Sequence, residues 1–282
     1  MGCENDIITP MKTEKKALIV AAACAAFVAL GDAPAPAGGA PRESIMFIGA
    51  HPDDSEGFAG LAFLLKDKYD LHIVDFTRGE FGLGKAGFLD GSTGRIRTEE
   101  EKAACAFLGA TPHFVGQKNS GPYDSMACAD SNAVARICEL LAEIKPKAVF
   151  THWPVDSHPD HVMTAAATYV ALRRMKCRAE FYYYEVLLCQ TRAWTPLYSV
   201  DISSVIDKKA EMLRKYACQN KNDELAQTKI KQAEKRGAER NPPVKYAETY
   251  TTFNGKPMPN GILANLPETV VVSPAAEVPA AK

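Results

Sequence analysis

Two short clusters of histidine and aspartate are the residues of this sequence best suited to chemistry. The first, Ala-His-Pro-Asp-Asp-Ser-Glu at 50–56, directly follows the apolar run 45–48. The second, Asp-Ser-His-Pro-Asp-His at 156–161, comes shortly after the apolar run 148–150. Imidazole and carboxylate groups at the end of a buried strand cost free energy unless they are paired or bind a metal ion. Both clusters therefore indicate a functional site.

The donor types in these clusters favour a transition-metal site. His51 is a borderline ligand beside two aspartates with hard oxygen donors, a mixture that zinc accepts. His158 and His161 are three residues apart, which places both on one face if this turn is helical. Pro159 between them suits the first turn of a helix. A lone histidine is more often structural, but this concentration favours a metal site over a structural polar network.

The rest of the chain reads as a scaffold that brings the clusters together. Strands are predicted at 45–49, 71–77, 148–151 and 181–188, and helices at 57–66, 99–108, 133–144 and 162–174. This alternation predicts an α/β fold with a mainly parallel, Rossmann-like sheet and helices on both faces. The carboxyl ends of parallel strands share one edge of the sheet, so the two clusters are expected to meet there. The charged segment 207–240 is expected to be helical with a solvated face.

Both ends of the chain are predicted to lie outside the domain, which is expected to span 41–265. Lysines before the apolar run 17–30, and a Pro/Ala-rich stretch up to residue 40, are typical of a signal peptide and linker. Export to the periplasm or the medium is therefore expected. Contact with a membrane is expected only through an uncleaved leader or lipid modification of Cys24. The segment 266–282, which ends rich in Pro and Ala, is expected to be a disordered tail.

Composition narrows the class of protein further. The 282 residues are 46% hydrophobic and 24% charged, with a net charge of -1. These values are ordinary for a globular protein. The net charge gives no sign of the clustered basic face that nucleic-acid binding requires, so a nucleic-acid-binding protein is not expected. In an oxidising compartment the cysteines beyond the leader could form disulfides, with the pairing left open. These are Cys105, Cys128, Cys138, Cys177, Cys189 and Cys218.

Several motifs in combination resemble the PIG-L (LmbE-like) family of zinc-dependent N-deacetylases. They are 50–56, Thr-Arg-Gly-Glu at 77–80, Arg97-x-x-Glu100 with Leu108-Gly109, and His-Pro-Asp-His at 158–161. Within the family the bacillithiol-type deacetylases look nearest, because 181–184, 200–203 and 246–248 are similar to elements of that branch. Each motif alone would be a weaker signal.

The resemblance implies a metal centre and a base in the two clusters. His51, Asp54 and His161 would bind Zn²⁺ and leave open positions for water and substrate. Asp53, which is adjacent but not a ligand, would be the general base. Catalytic zinc typically keeps three protein ligands and lowers the pKa of its water to about 7.

The resemblance also implies roles around that centre. His158 would stabilise the oxyanion or act as an acid, with Asp160 as a candidate orienting partner. Arg78 and Arg97 would contact the substrate, although either could instead form a structural ion pair.

The predicted function is a zinc-dependent hydrolase that removes an acetyl group from an N-acetylated sugar or glycoconjugate. One alternative is a dinucleotide-binding oxidoreductase, because 82–87 has the pattern G-x-G-x-x-G after a predicted strand. The turn-forming residues behind that pattern make a mobile loop the better interpretation. Another alternative is a non-catalytic sugar-binding protein of the same fold. Iron or cobalt could also occupy such a site.

Overall fold

A computed structural model describes residues 42–82, 92–116, 127–187 and 190–272. The strands are β1 (Ser44–Gly49), β2 (Asp70–Asp75), β3 (Ala110–Phe114), β4 (Ala148–His152), β5 (Glu180–Tyr184), β6 (Tyr198–Asp201), β7 (Ala247–Thr252) and β8 (Thr269–Val271). The α-helices are α1 (Ala59–Leu65), α2 (Ser92–Leu108), α3 (Ser131–Ile144), α4 (Pro159–Arg174), α5 (Ile206–Leu213) and α6 (Glu224–Glu239). These elements alternate along the chain as an α/β fold requires.

The described strands form one sheet in the order β3-β2-β1-β4-β5-β7-β6-β8. The strands from β3 to β5 in this order are parallel, and the remaining pairs are antiparallel. The predicted mainly parallel α/β fold is therefore confirmed. The chain order reverses between β1 and β4, which is where open sheets of this kind form a crevice at the carboxyl ends of their strands.

Two apolar cores cover the two faces of the sheet. Side chains of α1, α2, α5 and α6 pack on one face, and side chains of α3 and α4 pack on the other. The strands β1 and β4 lie at the centre and are almost wholly buried. Their near-continuous apolar sequences follow from burial on both faces, since neither face of these strands meets water.

A stack of aromatic rings joins the central strands beneath the first cluster. The ring of Phe47 on β1 stacks on Phe58 at 4.4 Å between centroids and on Phe150 of β4 at 4.9 Å. Phe150 stacks in turn on Tyr182 of β5 at 4.8 Å. Large aromatic side chains contribute much of the apolar area buried in a core. The stack therefore fixes β1, β4 and β5 relative to the turn that follows β1.

The charged segment 207–240 differs from its prediction. It forms two helices, α5 and α6, and two of its lysines are buried. Lys229 Nζ pairs with Glu56 Oε1 at 2.7 Å, and Lys209 Nζ pairs with Glu248 Oε1 at 2.6 Å. Lys209 also donates to the backbone oxygen of Glu56 at 2.7 Å. The prediction of a solvated face was wrong for these two side chains, which connect α5 and α6 to the first cluster.

The predicted tail 266–282 begins too early. Thr269–Val271 forms β8, which pairs antiparallel with β6 and covers its edge. β-Branched residues suit this position, and a paired edge exposes fewer backbone hydrogen-bonding groups. Residues 273–282, and the leader and linker predicted over 1–40, lie outside the described residues.

Two further expectations concern the thiols and the membrane. The described cysteines, namely Cys105, Cys128, Cys138, Cys177 and Cys218, carry free thiols, and Cys189 lies outside the described residues. None of the described helices has both the length and the apolar character needed to cross a bilayer.

Replacing Lys229 by Met should lower the free energy of unfolding by about 3–5 kcal/mol, because Glu56 would stay buried without its partner. Lys235→Met on the same helix is the matched control. Lys235 is exposed and lies 3.9 Å from Glu239, so its loss should cost less than about 1 kcal/mol. Urea denaturation measures both values. Equal losses in the two variants would contradict a stabilising role for the buried pair.

Candidate metal centre

The two sequence clusters meet at the carboxyl ends of β1 and β4. These strands are direct neighbours, with Ile48 opposite Thr151. The first cluster follows β1 as a tight turn, and the second leads from β4 into α4. His158 is the N-cap residue of α4, with Pro159 as the first helical residue. This places His161 in the first turn of α4, above the end of β1.

Asp54 is the carboxylate at the centre of the site. Its Oδ2 accepts hydrogen bonds from the backbone nitrogens of Ala50 at 2.6 Å and His51 at 2.8 Å. Its Oδ1 lies 3.5 Å from His161 Nε2. Burial would raise the pKa of Asp54, but the nearby imidazoles of His152 and His161 outweigh it, and the pKa lies well below its usual value. Asp54 is therefore ionised, with Oδ1 directed at the second cluster.

His51 is oriented by a carboxylate of the second cluster. Its Nε2 lies 2.9 Å from Asp160 Oδ2, and its Nδ1 lies 3.7 Å from Asp54 Oδ2. Asp160 is fully buried and its Oδ1 accepts from the backbone nitrogen of Ala127 at 2.9 Å. Asp160 was the candidate partner of His158, but the structure directs its carboxylate at His51. Its backbone N–H contacts the His158 ring, donating to Nδ1 at 3.3 Å.

His161 lies between two carboxylates. Its Nδ1 is 3.2 Å from Asp156 Oδ1, on the side opposite Asp54. Asp156 is held in turn by the backbone nitrogen of His158 at 2.7 Å and by the hydroxyl of Thr191 at 3.1 Å. Burial would lower the pKa of His161, but Asp54 and Asp156 outweigh it and raise the pKa to about 10. The protein thus stabilises a positive charge at this position.

These residues fit a bound zinc ion. Each of His51 and His161 has one ring nitrogen beside a carboxylate and the other turned towards Asp54. Metal-binding histidines usually hold their second nitrogen against a carboxylate or carbonyl in this way. Among the described residues, two groups have ligand atoms within 4.8 Å of one another: His51, His158 and His161, and Asp54, His152 and His161. His161 belongs to both groups, so it links the predicted ligands His51 and Asp54, which fall in different groups.

His152 is a site residue that the sequence analysis did not identify. It is the last residue of β4, is fully buried and stacks on His161 with 4.1 Å between ring centroids. Its Nε2 lies 3.0 Å from Asp54 Oδ2 and 3.3 Å from the hydroxyl of Tyr184. The signal available in the sequence was a histidine at the end of a predicted strand, four residues before the second cluster.

Asp53 is held by Arg97 at the edge of the site. Asp53 has a φ of 107°, a conformation that costs free energy outside glycine. Arg97 Nη2 donates to Asp53 Oδ1 at 2.8 Å and to the backbone oxygen of Pro52, and Arg97 is only 1% exposed. Burial raises the pKa of Asp53 to about 7, although the charge of Arg97 opposes the shift. Arg97 therefore forms the ion pair that the sequence left as an alternative, and its contact with a substrate stays a prediction.

His158 and Arg78 lie nearer the solvent. Burial, together with the neighbouring His51 and His161, lowers the pKa of His158 to about 4. Because Nδ1 accepts a hydrogen bond from Asp160, the proton of the neutral ring belongs on Nε2. The guanidinium of exposed Arg78 lies over the Phe114 ring, 5.6 Å from its centroid. His158 is thus a neutral donor beside the centre, and Arg78 is an exposed cation on the following loop.

Comparison with known proteins finds a family match over the segment that holds both clusters. The family model described as "PIG-L: GlcNAc-PI de-N-acetylase" matches residues 46–172. The 1D-myo-inositol 2-acetamido-2-deoxy-alpha-D-glucopyranoside deacetylase of Mycobacterium sp. (strain KMS) is 31% identical over 167 residues, which cover 51% of this chain and 54% of that protein. The chain spans about half the length of the curated relatives it matches.

Solved structures extend the likeness over more of the chain. The N,N'-diacetylchitobiose deacetylase of Pyrococcus horikoshii has a TM-score of 0.61 at 20% identity, covering 76% of this chain and 84% of that one. The 4-carboxy-2-hydroxymuconate hydratase GalB of Pseudomonas putida KT2440 has a TM-score of 0.66 at 23% identity, covering 77% and 98%. At such identities the likeness shows the fold alone. The matched segment carries the two clusters, and over residues 46–172 this chain is similar to the PIG-L family.

Proposed function

We propose that this protein is a zinc-dependent hydrolase that removes the acetyl group from the nitrogen of an N-acetylated sugar or glycoconjugate. The observation that carries the proposal is the pair of buried imidazoles, His51 and His161, each beside its own carboxylate and turned towards Asp54. Three protein ligands with open positions are what a catalytic zinc site needs. The PIG-L match and the relative's name support the deacetylase class.

The chain's own residues divide the chemistry among them. His51, Asp54 and His161 would hold the ion, which when bound would lower the pKa of a water molecule and polarise a carbonyl oxygen. Asp53 would accept the proton of the attacking water, as a positioned base beside the ligands. Arg97 would keep the Asp53 carboxylate in place through the 2.8 Å ion pair.

His158 and Asp53 would complete the reaction. The Nε2–H of His158 would donate to the carbonyl oxygen as that oxygen gains negative charge, which stabilises the transition state. The proton held by Asp53 would pass to the amide nitrogen as the C–N bond breaks. Water and the N-acetyl group would thus give acetate and a free amine. Arg78 is exposed, so it is the better placed of the two predicted arginines to contact a substrate.

The alternatives have less support. The pattern 82–87 was the basis for the alternative of a dinucleotide site, but 83–87 lie outside the described residues, and none of the described residues supports that alternative. The hydratase of similar fold shows that one fold carries different reactions. The residues around Asp54 favour the proposal over a silent sugar-binding protein, because binding alone would not require the predicted base beside three predicted metal ligands.

Removal of the metal ion should abolish activity. Purified protein supplied with Zn²⁺ should release acetate from N-acetylglucosamine conjugates, and a chelator should stop the release until zinc is restored. His161→Ala should lose both the zinc bound at this centre and the acetate release. Wild-type protein that releases acetate equally well after complete removal of metal would overturn the zinc mechanism.

Asp53→Asn should separate chemistry from metal binding. Because Asp53 is not a predicted ligand, the variant should keep its zinc while kcat for acetate release falls about 10²- to 10⁴-fold, the usual contribution of a general base. Metal analysis and steady-state kinetics on the same preparation measure both effects. Undiminished kcat with zinc in place would remove Asp53 from the mechanism.

Thr191 should support the metal centre through Asp156, although it lies outside the matched segment. Thr191→Val keeps the shape of the side chain but removes the hydroxyl that donates to Asp156. Zinc affinity should fall by up to about 10-fold, since loss of the direct partner of a metal ligand costs about 10- to 100-fold and Thr191 acts one contact further out. Thr191→Ser keeps the hydroxyl and should stay near wild type. Competition with a chromophoric chelator measures the affinities, and equal values for Val and Ser would show that Asp156 does not depend on Thr191.

A further inference from the structure

We propose that His72 and His113 form a second metal site, for a divalent transition-metal ion such as Zn²⁺, with Glu143 as the third ligand. The site lies on β2 and β3, which do not carry the candidate metal centre. His72 Nδ1 and His113 Nε2 are 3.0 Å apart, and the rings are tilted by 30° with centroids 5.2 Å apart. Both side chains are half-buried. The inference does not depend on the proposed function.

The backbone brings the two imidazoles together. In the parallel pairing of β2 and β3, His72 lies opposite Thr111 and Val74 lies opposite His113. The two histidines are therefore diagonal neighbours on the same face of the sheet, a separation that long side chains bridge. Because both strands are paired along this stretch, the positions of the two Cα atoms are fixed before any ion binds.

The separation of the nitrogens suits a shared ion. Zinc binds imidazole nitrogen at about 2.0–2.1 Å, which puts two such nitrogens about 2.9 Å apart at a right angle and about 3.4 Å apart at a tetrahedral angle. The observed 3.0 Å lies between these values. A hydrogen bond between the rings produces the same distance. A shared ion requires each partly exposed ring to turn so that both lone pairs point at one position.

Glu143 supplies a carboxylate on the side of α3. It lies in the last turn of that helix, is exposed, and its charge acts on the pKa of both histidines. The other charged neighbours are already paired: Asp70 with Arg42 at 2.6 Å, and Arg136 with Glu139 at 2.8 Å. Glu143 has no hydrogen bond or ion pair with the described residues. Its side chain has to turn towards the two histidines to bind the same ion, because its carboxylate does not lie within 4.8 Å of both ring nitrogens.

The protonation state of the pair favours binding. Burial lowers the pKa of both His72 and His113, and for His113 the neighbouring His72 acts in the same direction. Both rings are therefore neutral at pH 7, and the neutral ring is the form that binds metals. Imidazole suits zinc, copper, iron and nickel better than magnesium or calcium.

Zinc titration of the full chain by isothermal calorimetry tests the proposal. Wild type should bind two equivalents. His72→Gln and His113→Gln should each weaken the second equivalent at least about 10-fold, which corresponds to about 1.4 kcal/mol, while acetate release stays unchanged. His161→Ala should lose the first equivalent and keep the second. This pattern separates the two sites, so failure of one proposal is distinguishable from failure of the other.

A surface pair of variants keeps the test valid if a histidine variant does not fold. Glu143→Gln should weaken the second equivalent several-fold, and Glu139→Gln, on the exposed part of the same helix, should leave it unchanged. Three outcomes would overturn the proposal. The first is that His161→Ala binds no zinc at all, and the second is that the second equivalent of zinc survives in both histidine variants. The third is that the two glutamate variants bind the second equivalent with equal affinity.

Discussion

The interaction on which the site depends is the pairing of buried carboxylates with buried imidazoles between β1 and β4. Asp54, Asp156 and Asp160 are removed from water, so each would be strongly destabilising without a partner. His161 lies between Asp54 and Asp156, and His51 faces Asp160, so each charge is compensated within the site. Because the compensation needs both strand ends, the two clusters hold each other in position.

The support for this pairing comes largely from outside the segment that matches the PIG-L family. Lys229 on α6 pairs with Glu56 of the first cluster, and Thr191 donates to Asp156 of the second. Within the matched segment, Arg97 fixes Asp53 from α2. The part of the chain that forms the antiparallel half of the sheet and its helices thus holds the two clusters in place. Two strand ends alone would not supply these contacts. They fix each loop from the side that faces the protein.

This arrangement also explains why the proposed chemistry assigns different roles to neighbouring residues. Asp54 and Asp53 are consecutive, yet the first accepts backbone hydrogen bonds at the centre of the site and the second turns away through a positive φ to meet Arg97. Ionisation is favoured at Asp54, whereas burial raises the pKa of Asp53 to about 7. A ligand must stay ionised and a base must exchange a proton near neutral pH, so the two environments match the two proposed roles.

The sequence by itself determined the local elements and the chemical types in the clusters. The strand predicted at 45–49 is observed as Ser44–Gly49, and the helix predicted at 133–144 is observed as Ser131–Ile144. Both predictions succeed because hydrophobic periodicity is a local property of the sequence. The first turns of α2 are polar, so its start at Ser92 was missed. The short antiparallel strands of the second half lack a strong period of their own.

Only the tertiary structure decided which groups meet. Nothing in the sequence directed Asp160 at His51 instead of at His158, or brought His152 beside Asp54. The charge of Lys229 predicts that its side chain is exposed to solvent. Its burial is tolerated because it pairs with Glu56, a carboxylate far away in the sequence. Types and spacing are properties of the chain, whereas the partner of a buried charge depends on elements that are far apart in sequence.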